Sequence, residues 1–203
     1  MKSKSRLRLP STRRRALILQ AATEVFGRYG YNGATTEQIA SAAEVSQPYV
    51  VRMFGTKELL FLEVIEGTIE TLLTTFRTAI SKHAETGQPP AELPRVLGAL
   101  WIDLGGSPGL HESLLHAFVQ GSNPVIGERA REGFLQIWEM LRDEAGFDQA
   151  TTHEFLARGM LISVLLGIRM PNTVTADARA HEMLASVFGA NLQKVESEHG
   201  ASI

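Results

Sequence analysis

The chain has 203 residues, of which 44% are hydrophobic and 21% charged, an ordinary globular composition. It has no cysteine, which excludes disulfides, thiolate metal sites and a cysteine nucleophile. Its longest uncharged apolar stretch, residues 159–168, is far short of the roughly 20 residues a membrane helix needs.

The formal charge of −2 hides an asymmetry: residues 1–57 carry ten Lys or Arg against three Glu, a net of +7, and the remainder carries −9. A basic head on an acidic body points to a polyanionic partner for the head alone. Gln20 and Glu24 interrupt the apolar run that a signal peptide would need after the basic start, so the chain reads as cytosolic.

Helical periodicity dominates, and no segment alternates as a strand would. Ile18, Ala22, Val25, Phe26 and Tyr29 recur at helical spacing and predict a first helix over 12–29, stopped at Gly30. Thr35 with Gln38 forms a capping-box pattern that opens a second helix over 36–43. Ser46 is the expected cap of a third over 47–54, where Pro48 sits in the tolerant first turn, and Thr56 caps a long fourth helix to about His83. After the breaker TGQPP, further helices are expected near 91–104, 110–121, 125–145, 152–170 and 176–198, about nine in all. The ends, 1–9 and about 196–203, read as disordered.

The second and third helices fit a helix-turn-helix. Ile39, Ala40, Ala43, Val45, Val50 and Met53 occupy the positions that must be apolar or small. On the third helix Val50, Met53 and Phe54 face inward, which leaves Gln47, Pro48, Tyr49 and Arg52 on display. Gln pairs with adenine edges, Arg with guanine, and apolar or aromatic groups pack on thymine methyls, so these four are candidate base readers of double-stranded DNA. Arg13 and Arg14, with Arg15, lie in the first turn of the first helix, where the dipole disfavours cations unless they meet phosphates. Thr36 and Lys57 are further candidate phosphate contacts.

The run ALILQAATEVFGRYGYNGATTEQIASAAEVSQPYVVRMFGTKELLFLEV, with its Thr-Thr start, Ile-Ala, Val-Ser, Phe and Lys-Glu-Leu, resembles the DNA-binding head of the TetR (tetracycline-repressor-like) regulators. The resemblance covers about a quarter of the chain. It implies an all-α fold: a three-helix helix-turn-helix head over 1–57 and a C-terminal bundle over 58–203 for ligand binding and dimerisation. It also implies a homodimer, commonly a repressor, that leaves its operator when a small molecule enters the bundle. Two positions depart from the family pattern. Glu44 stands at the turn glycine, at a cost of ~1–2 kcal/mol if the left-handed geometry is kept. Val51 stands where a backbone-contacting tyrosine is frequent.

In the bundle, Gly159, Ser163 and Gly167 recur every four residues, flanked by Leu166, and Leu184 and Phe188 repeat an apolar edge on the last helix. These are the candidate dimer interface, with intramolecular packing as the alternative. Phe76, Trp101, His116, Gln120, Phe134, Trp138 and Leu141 are candidate contacts for a hydrophobic or aromatic effector. His111 and His116 point apart on a helix, and Glu112–His116 and Asp177–His181 supply two ligands each, so no metal site or cofactor is expected. No nucleophile motif or phosphate loop argues for an enzyme. Two rivals remain: an architectural DNA-binding protein without an effector, and a helical-bundle carrier or enzyme with an anchoring head.

Overall fold

The computed structural model describes residues 10–199, and among these there is no strand. The α-helices run in the order α1 (Ser11–Gly33), α2 (Thr36–Ala42), α3 (Gln47–Phe54), α4 (Lys57–Thr86), α5 (Leu93–Leu104), α6 (Leu110–Val119), α7 (Pro124–Glu139), α8 (Gln149–Gly167), α9 (Ala178–Phe188) and α10 (Leu192–His199). The segment expected as one final helix is therefore two, because Gly189 takes φ +52° and turns the chain through a short 3₁₀ segment, Gly189–Asn191. Order continues to His199, past the point where it was expected to end, and the expected disorder at 1–9 and 200–203 falls outside the described residues.

Local chemistry sets the boundaries. Gly30 (φ +69°) breaks α1 four residues before Ala34, a conformation that side-chain-bearing residues adopt only at a cost. The Thr35 hydroxyl accepts from the Gln38 N–H at 3.1 Å and the Gln38 side chain accepts from the Thr35 N–H at 2.9 Å, completing the expected capping box. Thr56 caps α4 through the Leu59 N–H at 3.1 Å, and α4 ends at left-handed Gly87. Ser46 holds the cap position of α3, but its hydroxyl makes no capping bond.

The core is continuous from head to bundle. Ile18, Phe26, Ile39 and Val50 meet Phe61 and Val64 of α4, and the same cluster runs on through Leu72, Phe76, Leu97 and Leu114. Phe61 is fully buried, 4.7 Å ring-to-ring from Phe26, so removing it costs about 3–5 kcal/mol. The expected head boundary at residue 57 thus cuts α4 at its first turn, whereas the head's packing extends to Val64. A second cluster joins Ile162, Leu165, Leu184, Phe188 and Val195.

The head is also clamped from the side, because α1 packs more extensively on α6 than on any other helix. Gly27 and Gly109 make that approach possible: a Cβ on Gly109 would sit 2.3 Å from the Thr23 carbonyl oxygen.

Candidate functional site

The turn between α2 and α3 carries Glu44 at φ +52°, so this residue adopts the left-handed geometry that a glycine would take without strain. The Val45 N–H bonds the Ala40 carbonyl across that turn at 2.9 Å. α3 then presents Gln47, Pro48, Val51 and Arg52 to solvent, with Tyr49 half-buried, while Val50 and Phe54 fill the core. Gln47 Nε2 donates to Thr36 Oγ1 at 3.2 Å, which joins the N-terminal tips of α2 and α3. The Tyr49 ring is in cation–π contact with two guanidiniums, Arg14 at 5.6 Å and Arg52 at 5.0 Å. Each exposed cation–π contact contributes ~0.5–1 kcal/mol, so the ring holds two cations from different helices over one surface. Arg13 is exposed on the adjoining turn.

Two of the basic residues have internal roles. Arg15 pairs with Glu63 and lies 5.0 Å over the Phe54 ring, which ties α1 to α3 and α4. Lys57, expected at a phosphate, donates to the Tyr31 carbonyl at 2.8 Å and the Ala34 carbonyl at 3.0 Å, and sits 4.8 Å over the Tyr31 ring. Two of its three N–H donors therefore close the end of α1. Burial, with the charge of Glu58 adding to it, pushes the Tyr31 phenol above its usual range.

The candidate effector residues do not form one site. Phe76, Trp101 and Phe134 line a small apolar cavity of about 50 Å³ together with Phe118, Phe155 and Met160. Its volume suits a water or two, not a drug-sized molecule, which takes ~300 Å³ or more. The other four lie elsewhere. His116 is at the head–bundle seam, its Nε2 3.2 Å from the Gly27 carbonyl oxygen. Gln120 ends α6. Trp138 is 39% exposed on α7. Leu141 is fully enclosed in the core. Trp138 and Leu141 were grouped with the rest because periodicity marks apolar positions without distinguishing a cavity wall from close packing or surface, and His116 and Gln120 because polar groups on the same helices could orient a ligand.

A larger space lies beside that cavity. A partly open groove of about 1260 Å³ runs between α4, α5, α8 and the α9–α10 turn. Trp101, Phe155 and Gly159 line both spaces and form their shared wall, in which the indole N–H donates to the Gly159 carbonyl at 3.0 Å. Thr74, Thr75 and Thr78 on α4 face Leu100 on α5 and Phe155 and Ile162 on α8 across the groove. The sequence held a signal for it in the threonines at helical spacing on α4 and the small pair Gly98–Ala99 on α5.

Residues 18–64 match the family model described as bacterial regulatory proteins, tetR family. Over its whole length the fold is similar to a putative TetR-family regulator from Mesorhizobium loti (TM-score 0.58, 21% identity, 96% of this chain and 95% of that one). It is equally similar to a TetR-like regulator from Rhodococcus sp. RHA1 (TM-score 0.59, 20% identity, 95% and 96%). Residues 18–64 are thus a tetR-family DNA-binding region, and the fold around them is TetR-like. Among curated relatives it is 36% identical over 81 residues to the transcriptional activator FasR of Mycolicibacterium smegmatis, covering 40% of this chain and 37% of that protein. It is 31% identical over 126 residues to the transcriptional repressor NicS of Pseudomonas putida, covering 57% and 58%. The chain thus spans 37% to 58% of the length of these two relatives.

Within this fold the small-residue stripe on α8 points inward at Gly159 and Ser163 but not at Gly167. Ser163 is buried and its hydroxyl donates to the Gly159 carbonyl at 3.0 Å, and Gly159 faces the Trp101 indole, whereas Gly167 is exposed beside Leu115. Leu166, Leu184 and Phe188 are likewise covered within the protomer. A different face of the same helices is apolar and open, carrying Leu161 and Val164 on α8, Ile168 at its C-terminal cap and Met183 on α9. Sequence reading chose the small-residue face because small residues permit close helix approach. The structure uses that approach inside one chain. Among the described residues no helix is long and apolar enough to cross a membrane, and no three potential ligands cluster as a metal site would require.

Proposed function

We propose that this chain is a cytoplasmic, homodimeric DNA-binding transcriptional regulator whose operator affinity is set by a small molecule bound in the bundle. The observation that carries the reading is the exposed face of α3, with Gln47, Pro48, Val51 and Arg52 outward and Tyr49 in cation–π contact with Arg14 and Arg52. Helix 3 of a helix-turn-helix enters the major groove, about 12 Å wide, and Arg13 and Arg14 flank it for phosphates. One such helix reads few bases, so two-fold pairing that places two heads ~34–36 Å apart supports the dimer, and the apolar stripe of Leu161, Val164, Ile168 and Met183 supplies its surface. Effector control rests on α4, one unbroken helix that completes the head's core and walls the groove. A ligand shifts the head only by the difference in its affinity for the two arrangements. Its relatives include a named activator and a named repressor, and we favour repression, the commoner behaviour that the sequence resemblance implies.

The test is fluorescence anisotropy of the protein on its own upstream intergenic DNA and on a scrambled control, across a salt series. Binding that beats the scramble by ~10³ and falls steeply with salt is expected. Equal, weak binding to both DNAs would favour an architectural role, and binding to neither would remove DNA from the function.

A further inference from the structure

We propose that the effector site is the groove between α4, α5, α8 and the α9–α10 turn, and that its ligand is an amphipathic organic anion. This deepens the effector-controlled reading above by naming the site and the ligand class. Three features carry it, and size is the first. The aromatic cavity of about 50 Å³ is too small for a drug-sized molecule, whereas the groove's 1260 Å³ accommodates one. The two spaces share Trp101, so an occupant of the groove touches an indole that also lines the cavity.

Charge is the second feature. The residues beyond 57 carry a net −9, yet the groove's lining has Lys82, Arg95 and Arg158 against one carboxylate, Glu154. Arg95 also lies 3.8 Å from Glu92, and Arg158 donates to the Val187 carbonyl at 2.6 Å, which fixes its guanidinium at the groove's edge. A local excess of cations on an acidic body selects anions, and the apolar floor of Leu100, Phe155, Ile162 and Phe188 requires the rest of the ligand to be hydrophobic.

The third feature is an unmet hydrogen bond. His83 is buried in the groove's α4 wall, and its Nε2–H donates to the Pro89 carbonyl at 3.1 Å. That tautomer leaves Nδ1 an acceptor, and no group among the described residues satisfies it. Buried polar groups without a partner are rare in folded chains, and binding sites retain them for ligands.

Trp138→Phe leaves Trp101 as the only tryptophan, so its fluorescence reports directly on the groove. The probes are decanoate, decanol and decylammonium, three molecules with one tail and different charge, titrated at equal ionic strength. Decanoate should bind at least ~10-fold tighter than decylammonium, and the Lys82→Glu/Arg95→Glu pair should invert that order. Gly98→Leu adds a side chain where nothing lies within 4 Å of the glycine, so the helix should melt as before while decanoate binding falls ~10-fold or more. No saturable binding, equal binding of the three probes, or binding indifferent to Gly98→Leu in a protein with unchanged melting would overturn the proposal. Release of operator DNA is measured separately. Decanoate that saturates Trp101 without affecting DNA affinity leaves the groove site standing and sinks effector control. Release by some other ligand that ignores the groove variants does the reverse.

Discussion

Glu44 offers the sharpest test of the head's geometry, because its cost comes from the backbone alone. The residue sits at φ +52° with its side chain exposed, so a substitution there changes no buried contact. A left-handed residue with a Cβ costs ~1–2 kcal/mol, and glycine removes that cost. Glycine also gives the unfolded chain more freedom, which offsets ~0.5–1 kcal/mol. Glu44→Gly should therefore exceed Glu44→Ala in stability by about 0.5–1 kcal/mol; both variants lose the charge, so their difference isolates the backbone. The core is continuous from head to bundle, so one cooperative thermal transition is expected. For a chain of this size that difference raises the midpoint by roughly 1–4 °C. Equal midpoints, or an alanine variant above the glycine one, would show that the turn does not hold Glu44 in the left-handed region.

Other perturbations address separate parts of the molecule. Arg52→Ala should weaken operator binding by ~1–3 kcal/mol and relax sequence preference, read by anisotropy on matched and mutated sites. Lys57→Met should lower the melting midpoint, by ~1–3 kcal/mol in stability, because the Tyr31 and Ala34 carbonyls lose their donor; a salt slope reduced by about one would instead make Lys57 a phosphate contact. The Asp148 carboxyl, capping α8, is held below its ordinary 3.8 chiefly by the Thr151 N–H. A depressed carboxylate stabilises the fold above its unfolded value and ceases to as pH falls through the folded one. Asp148→Asn keeps a capping oxygen, so its deficit in urea midpoint should be present at pH 6 and vanish in the acid limb below the folded value. Ile168→Glu, at a residue 60% exposed, should leave helicity intact and shift sedimentation to the monomer; an unmoved dimer would place the interface elsewhere.

The head was legible in the sequence because each of its signals is local. The capping box at Thr35–Gln38, the stop at Gly30, the cap at Thr56 and the inward set Val50–Phe54 depend on residues within a turn or two. The internal bonds of Lys57 were not legible because they join positions 26 and 23 residues apart, and a lysine bound to carbonyls has the same letter as one bound to phosphate. The bundle was legible as helices and opaque as a site. Trp138 and Trp101 are equally aromatic in sequence, yet one lies at the surface of α7 and the other between a cavity and a groove. Which face of α8 meets solvent depends on where α5, α6 and α9 pack, and no periodicity in α8 itself encodes that: Leu161 and Ile162 are neighbours, one exposed and one buried.

The same packing constrains how a ligand could move the head. A hinge at the 55–57 loop is opposed by Lys57, whose two hydrogen bonds fasten the start of α4 to the end of α1, and by Phe61 and Val64, which belong to the head's core. Head and N-terminal α4 must therefore move as one body. That body is held a second time at the α1–α6 seam, where Gly27 meets Gly109 at backbone contact and His116 reaches the Gly27 carbonyl. Close-packed glycines slide or separate but do not compress. A rotation of α4 driven from the groove would accordingly have to carry α6 with it or open that seam. The groove touches α4 along its C-terminal half, from Thr74 to Thr86, and Trp101 at its wall stacks 4.1 Å from the buried ring of His111 on α6. One ligand in the groove would thus press on both connections to the head at once, and coupling through α4 and α6 together follows from the contacts without a flexible joint.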